Sequence, residues 1–255
     1  MSRLSHATVE SERAPTPAEG ALSEGALGLP ATRLSDLSAP ALMEWAAQRF
    51  GEGLMMSTSF GIQSAVTLHL ATRVRPDMPV VWIDTGYLPD ETYQYAETLA
   101  RRLDLNLRVY RADLTPGAME TRFGRLWETG LVEDLELYDW VRKVEPMRRA
   151  MEELRPTAWV SGLRADQTDF RKSLGRVTHD GARYRVLPIL RFTSRDVYRY
   201  MTDNDLPQHP LWEQGYTTVG DWHSSRAVSA NDSTDRATRF GGLKQECGIH
   251  LPGAA

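Results

Sequence analysis

The chain has 255 residues, of which 41% are hydrophobic and 25% are charged, with a formal net charge of −4 at pH 7. This composition is typical of a globular protein, and the negative charge argues against broad binding to nucleic acids or anionic membranes. Because no apolar stretch approaches the roughly 18–20 residues that span a bilayer and the amino terminus has no apolar signal core, we expect a soluble, cytoplasmic protein.

The beginning of the chain is rich in Ala, Ser, Glu, Pro and Gly and shows no hydrophobic periodicity. We interpret residues 1–35 as a flexible extension. Packed structure is expected to begin near Ser38, a suitable N-cap for a helix that carries Leu42, Trp45 and Phe50.

Strand and helix patterns alternate through residues 36–206. Predicted strands cover residues 54–57, 80–83, 107–110, 157–161 and 185–189. Predicted helices cover residues 62–72, 90–103, 131–154 with a break at Pro146, and 194–203. This alternation predicts one α/β domain with a mainly parallel, twisted sheet and helices on both faces.

The periodicity disappears from about residue 207, where the chain becomes rich in Gly, Ser, Asp, His and Trp. We expect residues 207–255 to form a loop-rich segment that ends in a mobile tail. Cys247 in that tail is the only cysteine, which excludes an intrachain disulfide and any site that needs several thiolates. Its polar neighbours leave two roles open, a reactive thiol or an incidental one, and a single cysteine fits a reducing cytosol.

Three predicted strands end in small or polar segments, and ligands of open parallel sheets bind beyond the carboxyl ends of the strands. The first segment joins a strand to a helix, where hydroxyls, a glycine and free N–H groups suit an anion. An N-capped turn without a ligand is the alternative. The candidate phosphate-binding residues are Ser57, Thr58, Ser59, Phe60, Gly61, Gln63 and Ser64.

The second and third segments extend the predicted cleft. Asp84, Thr85 and Gly86 end the second strand, where Asp84 either meets a ribose or base edge or caps the next helix. The third segment follows the fourth predicted strand, and its cations suit a polyanion, although a solvated basic loop is the alternative. Its candidate binding residues are Gly162, Arg164, Gln167, Arg171 and Lys172.

Two further cations lie in polar surroundings. Lys143 is close to Glu145 in the central helical region, where an ordinary surface ion pair is the alternative role. Arg226 lies in a late loop beside His223. The six histidines are scattered, so no metal site is predicted.

Taken in order, these segments closely resemble the phosphoadenylyl-sulfate reductases, thioredoxin-dependent enzymes that reduce 3′-phosphoadenosine 5′-phosphosulfate (PAPS) to sulfite. The resemblance covers roughly residues 50–251, and the motifs are highly specific in this order although each one is short. They are STSFGIQ (57–63), DTGY (84–87), KVEPM (143–147), SGLR (161–164), HPLW (209–212) and ECGIH (246–250).

The resemblance implies a nucleotide-binding domain over residues 36–206, similar in fold to the adenine-nucleotide α-hydrolases. It also implies that the loop around Ser59 cradles the phosphosulfate, that residues 84–86 hold the adenosine, and that Cys247 is the nucleophile. Phe60 and Gln63 replace a Gly and an Asp of the ATP-cleaving relatives, which argues against ATP pyrophosphatase chemistry.

A second branch of the family reduces adenosine 5′-phosphosulfate (APS), usually with a four-iron cluster. Its cysteines would fall near Tyr138 and Asp139 and at Asp221 and Ser224, and none of these is a cysteine here. We therefore expect no iron–sulfur cluster and no bound cofactor, which favours PAPS. The alternatives are a cluster-free APS reductase, a noncatalytic nucleotide-binding redox sensor, and an ATP-cleaving ligase or sulfurylase subunit.

Reduction of a sulfuryl group to sulfite takes two electrons, and this chain supplies a single thiol. Our hypothesis is that the Cys247 thiolate takes the sulfuryl group as a thiosulfonate, and that thioredoxin or glutaredoxin then releases sulfite. Gly248 is expected to give the tail freedom to close and reopen. The resemblance also favours a homodimer.

Positive charge is required around both the thiolate and the substrate anions. Lys244 and His250 are expected to lower the pKa of the thiol, opposed by Glu246. Arg239 and Lys244 are expected to guide docking of the tail. The cations expected to neutralise the sulfate and phosphates are Lys143, Arg164, Arg171 and Arg226.

Overall fold

The structure is a computed structural model that describes residues 31–230, 232, 238–244, 246 and 248–250. Its strands are β1 Leu54–Thr58, β2 Val80–Ile83, β3 Leu107–Tyr110, β4 Ala158–Val160, β5 Val177–His179 and β6 Tyr184–Val186. They form one six-stranded sheet in the order β3-β2-β1-β4-β6-β5. Only the β5–β6 pair is antiparallel among the paired strands of the described chain, which confirms the predicted mainly parallel sheet.

The helices alternate with the strands along the chain. They are α1 Ala31–Asp36, α2 Ala39–Phe50, α3 Ser64–Val74, α4 Asp90–Arg102, α5 Pro116–Phe123, α6 Val132–Asp139, α7 Glu145–Leu154, α8 Asp169–Lys172 and α9 Ser194–Asp203. A π-helical turn, Trp140–Val144, joins α6 to α7. Across the described ranges, none of these helices combines the length and apolar character needed to cross a membrane.

Both faces of the central strands are buried, as parallel strands require when helices cover the sheet on both sides. Leu54 and Met56 of β1 face a core shared with α2, α3, α4 and α9. Met55, which lies between them in the strand, faces the opposite core with Met147 and Met151 of α7. The predicted covering of both faces by helices is confirmed.

Local capping explains where several helices begin. The Ser38 hydroxyl accepts a hydrogen bond from the Ala41 N–H at 3.3 Å, which fixes the start of α2 at the predicted place. Thr193 and Asp196 form a reciprocal capping box at the start of α9. Thr115 caps α5, a helix that the sequence patterns did not predict.

The flexible extension predicted over residues 1–35 overlaps a helix at its carboxyl end. Residues 31–36 form α1, and the Leu34 side chain is only 1% exposed in the main core. Packed structure therefore begins before Ser38, and the proposed flexible segment overlaps it. Residues 1–30 lie outside the described residues, so their flexibility stays a prediction.

The predicted fifth strand is also different. Instead of one strand over residues 185–189, a hairpin pairs β5 with β6, and the chain leaves the sheet after Val186. The Asp180 carboxylate accepts hydrogen bonds from the N–H groups of Ala182 and Arg183, which stabilises the tight turn between the two strands.

The predicted helix over residues 131–154 is divided by the π-helical turn. Pro146 lies in the first turn of α7. Because proline has no N–H to donate to the preceding turn, the wider π-helical winding at Trp140–Val144 accommodates it without ending the helical path.

The described residues after 206 contain short 3₁₀ turns at Pro210–Trp212, Trp222–Ser224, Phe240–Gly242 and Gly248–His250. The Trp222 N–H donates to the Tyr87 carbonyl at 2.8 Å, and His209 bonds the Thr92 hydroxyl at 3.2 Å. This segment therefore packs against the loop that follows β2 and against the start of α4. Mobility of the tail stays a prediction.

Candidate active site

A cleft lies at the carboxyl ends of the parallel strands, where the sequence patterns predicted one. The loops after β1 and β4, the π-helical turn, residues 217–221 and the end of the described chain all contribute to it. The predicted site residues that line the cleft are Ser57, Thr58, Ser59, Gly61, Gln63, Ser64, Thr85, Lys143, Gly162, Gln167, Arg171, Arg239 and His250.

The loop between β1 and α3 is held by its own hydroxyl groups. The Thr58 hydroxyl accepts a hydrogen bond from the Phe60 N–H at 3.1 Å, and the Ser64 hydroxyl donates to the Gly61 carbonyl at 2.8 Å. Ser57 accepts from the Trp159 indole N–H at 2.8 Å. The tight turn thus leads directly into the amino terminus of α3, where the positive end of the helix dipole favours an anion.

Phe60 is a correction to the predicted set. Its ring is fully buried and packs edge-on against Trp82 at 5.0 Å, so it belongs to the core and not to the cleft. The backbone at Phe60 has a φ of +48°, which is unusual for a residue with a side chain. This conformation places the ring in the core while its neighbours Ser59 and Gly61 stay at the cleft.

Asp84 and Gly86 are also placed differently from the prediction. The buried Asp84 carboxylate accepts hydrogen bonds from the Tyr93 hydroxyl at 2.7 Å and from Arg111 at 2.7 Å. It therefore connects neighbouring side chains of the protein. Gly86 adopts a φ of +73°, and a Cβ there would lie 2.8 Å from Pro116. Neither residue lines the cleft, and Thr85 is the member of this motif that does.

Three predicted cations point away from the cleft. Arg164 is buried and bonds Asp166 at 2.8 Å and the Phe192 carbonyl at 3.2 Å. Lys172 is exposed and pairs with Asp169, and Arg226 is exposed and pairs with Asp232. None of the three lines the cleft, so their expected role in neutralising substrate anions is not supported by the geometry. A sequence position shows that a cation is present but not which way it points.

The third loop brings Gly162 and Arg171 into the cleft. A Cβ at Gly162 would lie 2.8 Å from the Thr67 hydroxyl of α3, so only glycine allows this close approach of loop and helix. Arg171 is buried, and its guanidinium binds Glu246 of the tail through Nε at 2.8 Å and a terminal nitrogen at 2.7 Å. Gln167 also bonds Arg171.

Lys143 lies at the base of the cleft within the π-helical turn. Its Nζ is 2.9 Å from Asp139 Oδ1 and 2.9 Å from Asp221 Oδ2, and all three side chains are buried. Burial alone would raise the pKa of Asp221, but the charge of Lys143 and the hydrogen bonds from Lys143 and Thr85 hold that pKa well below its usual range. Lys143 is therefore part of a buried ion cluster and not of a surface pair.

Asp139 and Asp221 were not among the predicted site residues. They are two of the positions compared above with the cysteines of the cluster-containing branch, so the sequence held a signal that these residues lie together. The structure brings the two carboxylates together through Lys143, which contacts both. No group of three or more His, Cys, Asp or Glu side chains in the described part of the chain is arranged to hold a metal ion.

The end of the described chain closes one side of the cleft. His250 stacks on Trp159 with ring centroids 5.3 Å apart, and Arg185 donates to the His250 carbonyl at 3.0 Å. A Cβ at Gly248 would lie 2.9 Å from Val144, so a glycine is needed for this close approach to the π-helical turn. Cys247, the predicted nucleophile, lies outside the described residues.

The remaining predicted cations occupy two different places. Arg239 lines the cleft, is buried, and donates to the Ser225 hydroxyl at 2.8 Å. Lys244 does not line the cleft, but its Nζ lies 2.8 Å from Asp139 Oδ2. Lys244 therefore joins the tail to the same buried carboxylate that holds Lys143.

The chain is similar to proteins of one named family. Residues 53–227 match the model of the phosphoadenosine phosphosulfate reductase domain. A phosphoadenosine 5′-phosphosulfate reductase from Synechococcus is 59% identical over 219 residues, which cover 86% of this chain and 94% of the relative. A protein of the same name from Synechocystis is 57% identical over 221 residues, covering 87% and 89%.

Solved structures show the same relationship. The crystal structure of phosphoadenylyl-sulfate (PAPS) reductase from Candida auris in a phosphate complex has a TM-score of 0.69 and 27% identity, and the match covers 80% of this chain and 98% of that one. The FMN adenylyltransferase of Candida glabrata, at 15% identity and a TM-score of 0.57, shares the fold alone. The sequence resemblance, the extent of the match and the sheet topology agree, and the chain belongs to the phosphoadenosine phosphosulfate reductase family of oxidoreductases.

Proposed function

We propose that the protein reduces PAPS to sulfite and adenosine 3′,5′-bisphosphate in assimilatory sulfate reduction. The observation that carries this proposal is the convergence of Lys143, Arg171 and Arg239 with the β1–α3 loop in one cleft beside the tail. Buried cations and the positive end of the α3 dipole around one cavity suit a ligand with several anionic groups.

The reaction begins with attack of the Cys247 thiolate on the sulfur of PAPS. The bond between that sulfur and the bridging phosphate oxygen breaks, and adenosine 3′,5′-bisphosphate leaves with the electron pair. Cys247 then carries a thiosulfonate. Positive charge from Lys143, Arg171 and Arg239 stabilises the negative charge that develops on the leaving phosphate.

An external dithiol protein, thioredoxin or glutaredoxin, completes the proposed cycle. One of its thiolates attacks the Cys247 sulfur, and sulfite leaves with the electrons of the sulfur–sulfur bond. The second thiol of the partner then resolves the mixed disulfide and regenerates Cys247. The two electrons thus come from the partner, because this chain has one cysteine.

Further expectations accompany this proposal. The chain is expected to bind no iron–sulfur cluster, since Asp139 and Asp221 stand where two cluster cysteines would fall and bind the Lys143 ammonium instead. The single cysteine and the need for a reducing dithiol protein favour a cytoplasmic location. The homodimer stays a prediction.

A steady-state sulfite assay with thioredoxin, comparing PAPS with APS, tests the proposal. We expect a clearly higher kcat/KM for PAPS. An equal or higher value for APS would make the protein an APS reductase. Both reductase activities would be excluded if neither nucleotide gave sulfite with thioredoxin or with glutaredoxin.

The two-step scheme has its own test. Mass spectrometry of the enzyme mixed with PAPS in the absence of reductant should show an adduct of about 80 Da on the Cys247 peptide, as expected for a transferred sulfuryl group. Addition of thioredoxin should remove the adduct and release sulfite. The intermediate is ruled out if the Cys247 peptide stays unmodified without reductant in an enzyme sample that forms sulfite once thioredoxin is added.

A further inference from the structure

Two ion pairs hold the tail just before position 247. In the first, Lys244 Nζ lies 2.8 Å from Asp139 Oδ2. In the second, the Glu246 carboxylate binds Arg171, with nitrogen–oxygen distances of 2.8 and 2.7 Å. Cys247 directly follows Glu246 in the sequence and is close to Lys244, and ion pairs hold both of these side chains at the cleft.

The Asp139 carboxylate is shared between the cleft and the tail. Its Oδ1 lies 2.9 Å from Lys143 Nζ, which lines the cleft, and its Oδ2 binds Lys244 of the tail. The Asp139 side chain is 2% exposed and that of Lys244 is 15% exposed. A buried carboxylate without its cations is strongly unfavourable, so Asp139 attracts Lys244 to this position.

The charges on both sides of this contact are balanced. The two positive charges of Lys143 and Lys244 balance the two negative charges of Asp139 and Asp221, and Lys143 lies between the two carboxylates. Undocking of the tail would remove Lys244 and leave two carboxylates with one ammonium. The docked tail is thus the state in which the buried cluster is neutral.

We propose that Asp139 is a positioning residue for Cys247, because its carboxylate docks Lys244 and thereby holds the tail at the cleft whose cation Lys143 it also fixes. The proposal rests on the proposed role of Cys247 in the reaction. It assigns to Asp139 and Lys244 a role in the placement of the thiol, with no contact to the substrate required.

The experiment compares Lys244→Met with wild type and with Lys244→Arg. Arg101→Met is the matched control. It also removes a single positive charge, but Arg101 belongs to an exposed ion pair with Glu97 on α4. The rate constant for alkylation of Cys247 by iodoacetamide is measured in the free enzyme from pH 6 to 10 and extrapolated to the fully ionised thiol. Alkylation needs no turnover, so this readout stands even if no sulfite is formed.

We expect the limiting alkylation rate to rise about fivefold in Lys244→Met. The effect is moderate because Lys244 is partly exposed and the Glu246–Arg171 pair still holds the tail. Lost positive charge alone would act in the opposite direction, because it disfavours the thiolate and slows alkylation at a fixed pH. Lys244→Arg should restore the slow rate, and Arg101→Met should match wild type.

The kinetic constants provide the second readout. Because Lys244 does not line the cleft, kcat for sulfite formation should fall in Lys244→Met while KM for PAPS changes less than twofold. In an Asp139→Asn background the effect of Lys244→Met on alkylation should disappear. An unchanged limiting rate in Lys244→Met, or the same rise in the Asp139→Asn background, would overturn the proposal.

Discussion

Replacement of Lys143 by methionine is the most direct test of the buried ion cluster. The Lys143 ammonium lies 2.9 Å from both Asp139 and Asp221, and its side chain is 8% exposed. Methionine keeps most of the side-chain volume but removes the charge. The variant therefore leaves two buried carboxylates with one fewer cation.

The expected loss of stability follows from the remaining contacts. Asp139 keeps Lys244, while Asp221 keeps a hydrogen bond from the Thr85 hydroxyl. Loss of one partner of a buried ion pair lowers the free energy of unfolding by about 3–5 kcal/mol. Because Thr85 and Lys244 compensate in part, we expect about 3 kcal/mol, which corresponds to a decrease of about 6–12 °C in Tm for a chain of this size.

The pH dependence separates this explanation from a simple packing defect. In wild type the pKa of Asp221 is held below 3.8, so its stabilising contribution is complete above that pH and is lost only as the pH falls through the lower folded-state pKa. Without Lys143, burial raises this pKa, and protonation at low pH relieves the unpaired charge. The deficit of Lys143→Met should therefore be larger at pH 7 than at pH 5.

Urea unfolding at the two pH values measures the deficit. Addition of Asp221→Asn removes the unpaired charge, so the double variant should be more stable at pH 7 than Lys143→Met alone. A deficit below about 1 kcal/mol at pH 7 would refute the reasoning, because it would lie in the range of exposed pairs. The same deficit at both pH values would also refute it.

Burial lowers the pKa of His209 to about 4, so between pH 6.5 and 4 this histidine is protonated in the unfolded chain but not in the folded one. The free energy of unfolding should therefore fall by about 2 kcal/mol between pH 7 and pH 5 because of this group. Urea unfolding of His209→Gln should show a weaker pH dependence, and an unchanged one would contradict this assignment. Gly162→Ala should lower the free energy of unfolding by about 1–3 kcal/mol, because the added Cβ would lie 2.8 Å from the Thr67 hydroxyl. A second change, Thr67→Ala, should recover much of the lost Tm, and no recovery would show that the clash is not the cause. Cys247→Ser should abolish sulfite release with a less than threefold change in the Kd for adenosine 3′,5′-bisphosphate in calorimetry, and residual turnover would exclude the thiol as nucleophile.

The sequence predicted the sheet because its strands have strong local signals. The sequence predicts Val80–Ile83 and Leu107–Tyr110 at their observed bounds. The first is a short apolar run, and the second contains the strand formers Val109 and Tyr110 after the turn residue Asn106. The β5–β6 hairpin was missed because Leu187 and Ile189 continue the apolar run after Val186 although they lie outside the sheet, and because β5 has only three residues. The π-helical turn was missed because its five residues are too few to show a period distinct from that of an α-helix.

The candidate site was predicted as a set of loops but not as a set of side-chain directions. Arg164 and Arg171 lie seven positions apart in a basic loop, yet Arg164 turns to Asp166 while Arg171 turns to the cleft. Such directions depend on tertiary partners. Glu246 lies 75 residues from Arg171 in sequence, and no local pattern indicates that the two form a pair.

The π-helical turn at Trp140–Val144 makes the number of residues in this segment as important as their side chains. One residue corresponds to a rotation of about 100° around an α-helix. Deletion of a single neighbouring residue from this turn would restore ordinary helical winding and rotate Lys143 out of reach of Asp221, even though Lys143 itself is retained. Natural variation in this region should therefore tolerate exchanges of residues far more readily than a gain or loss of one.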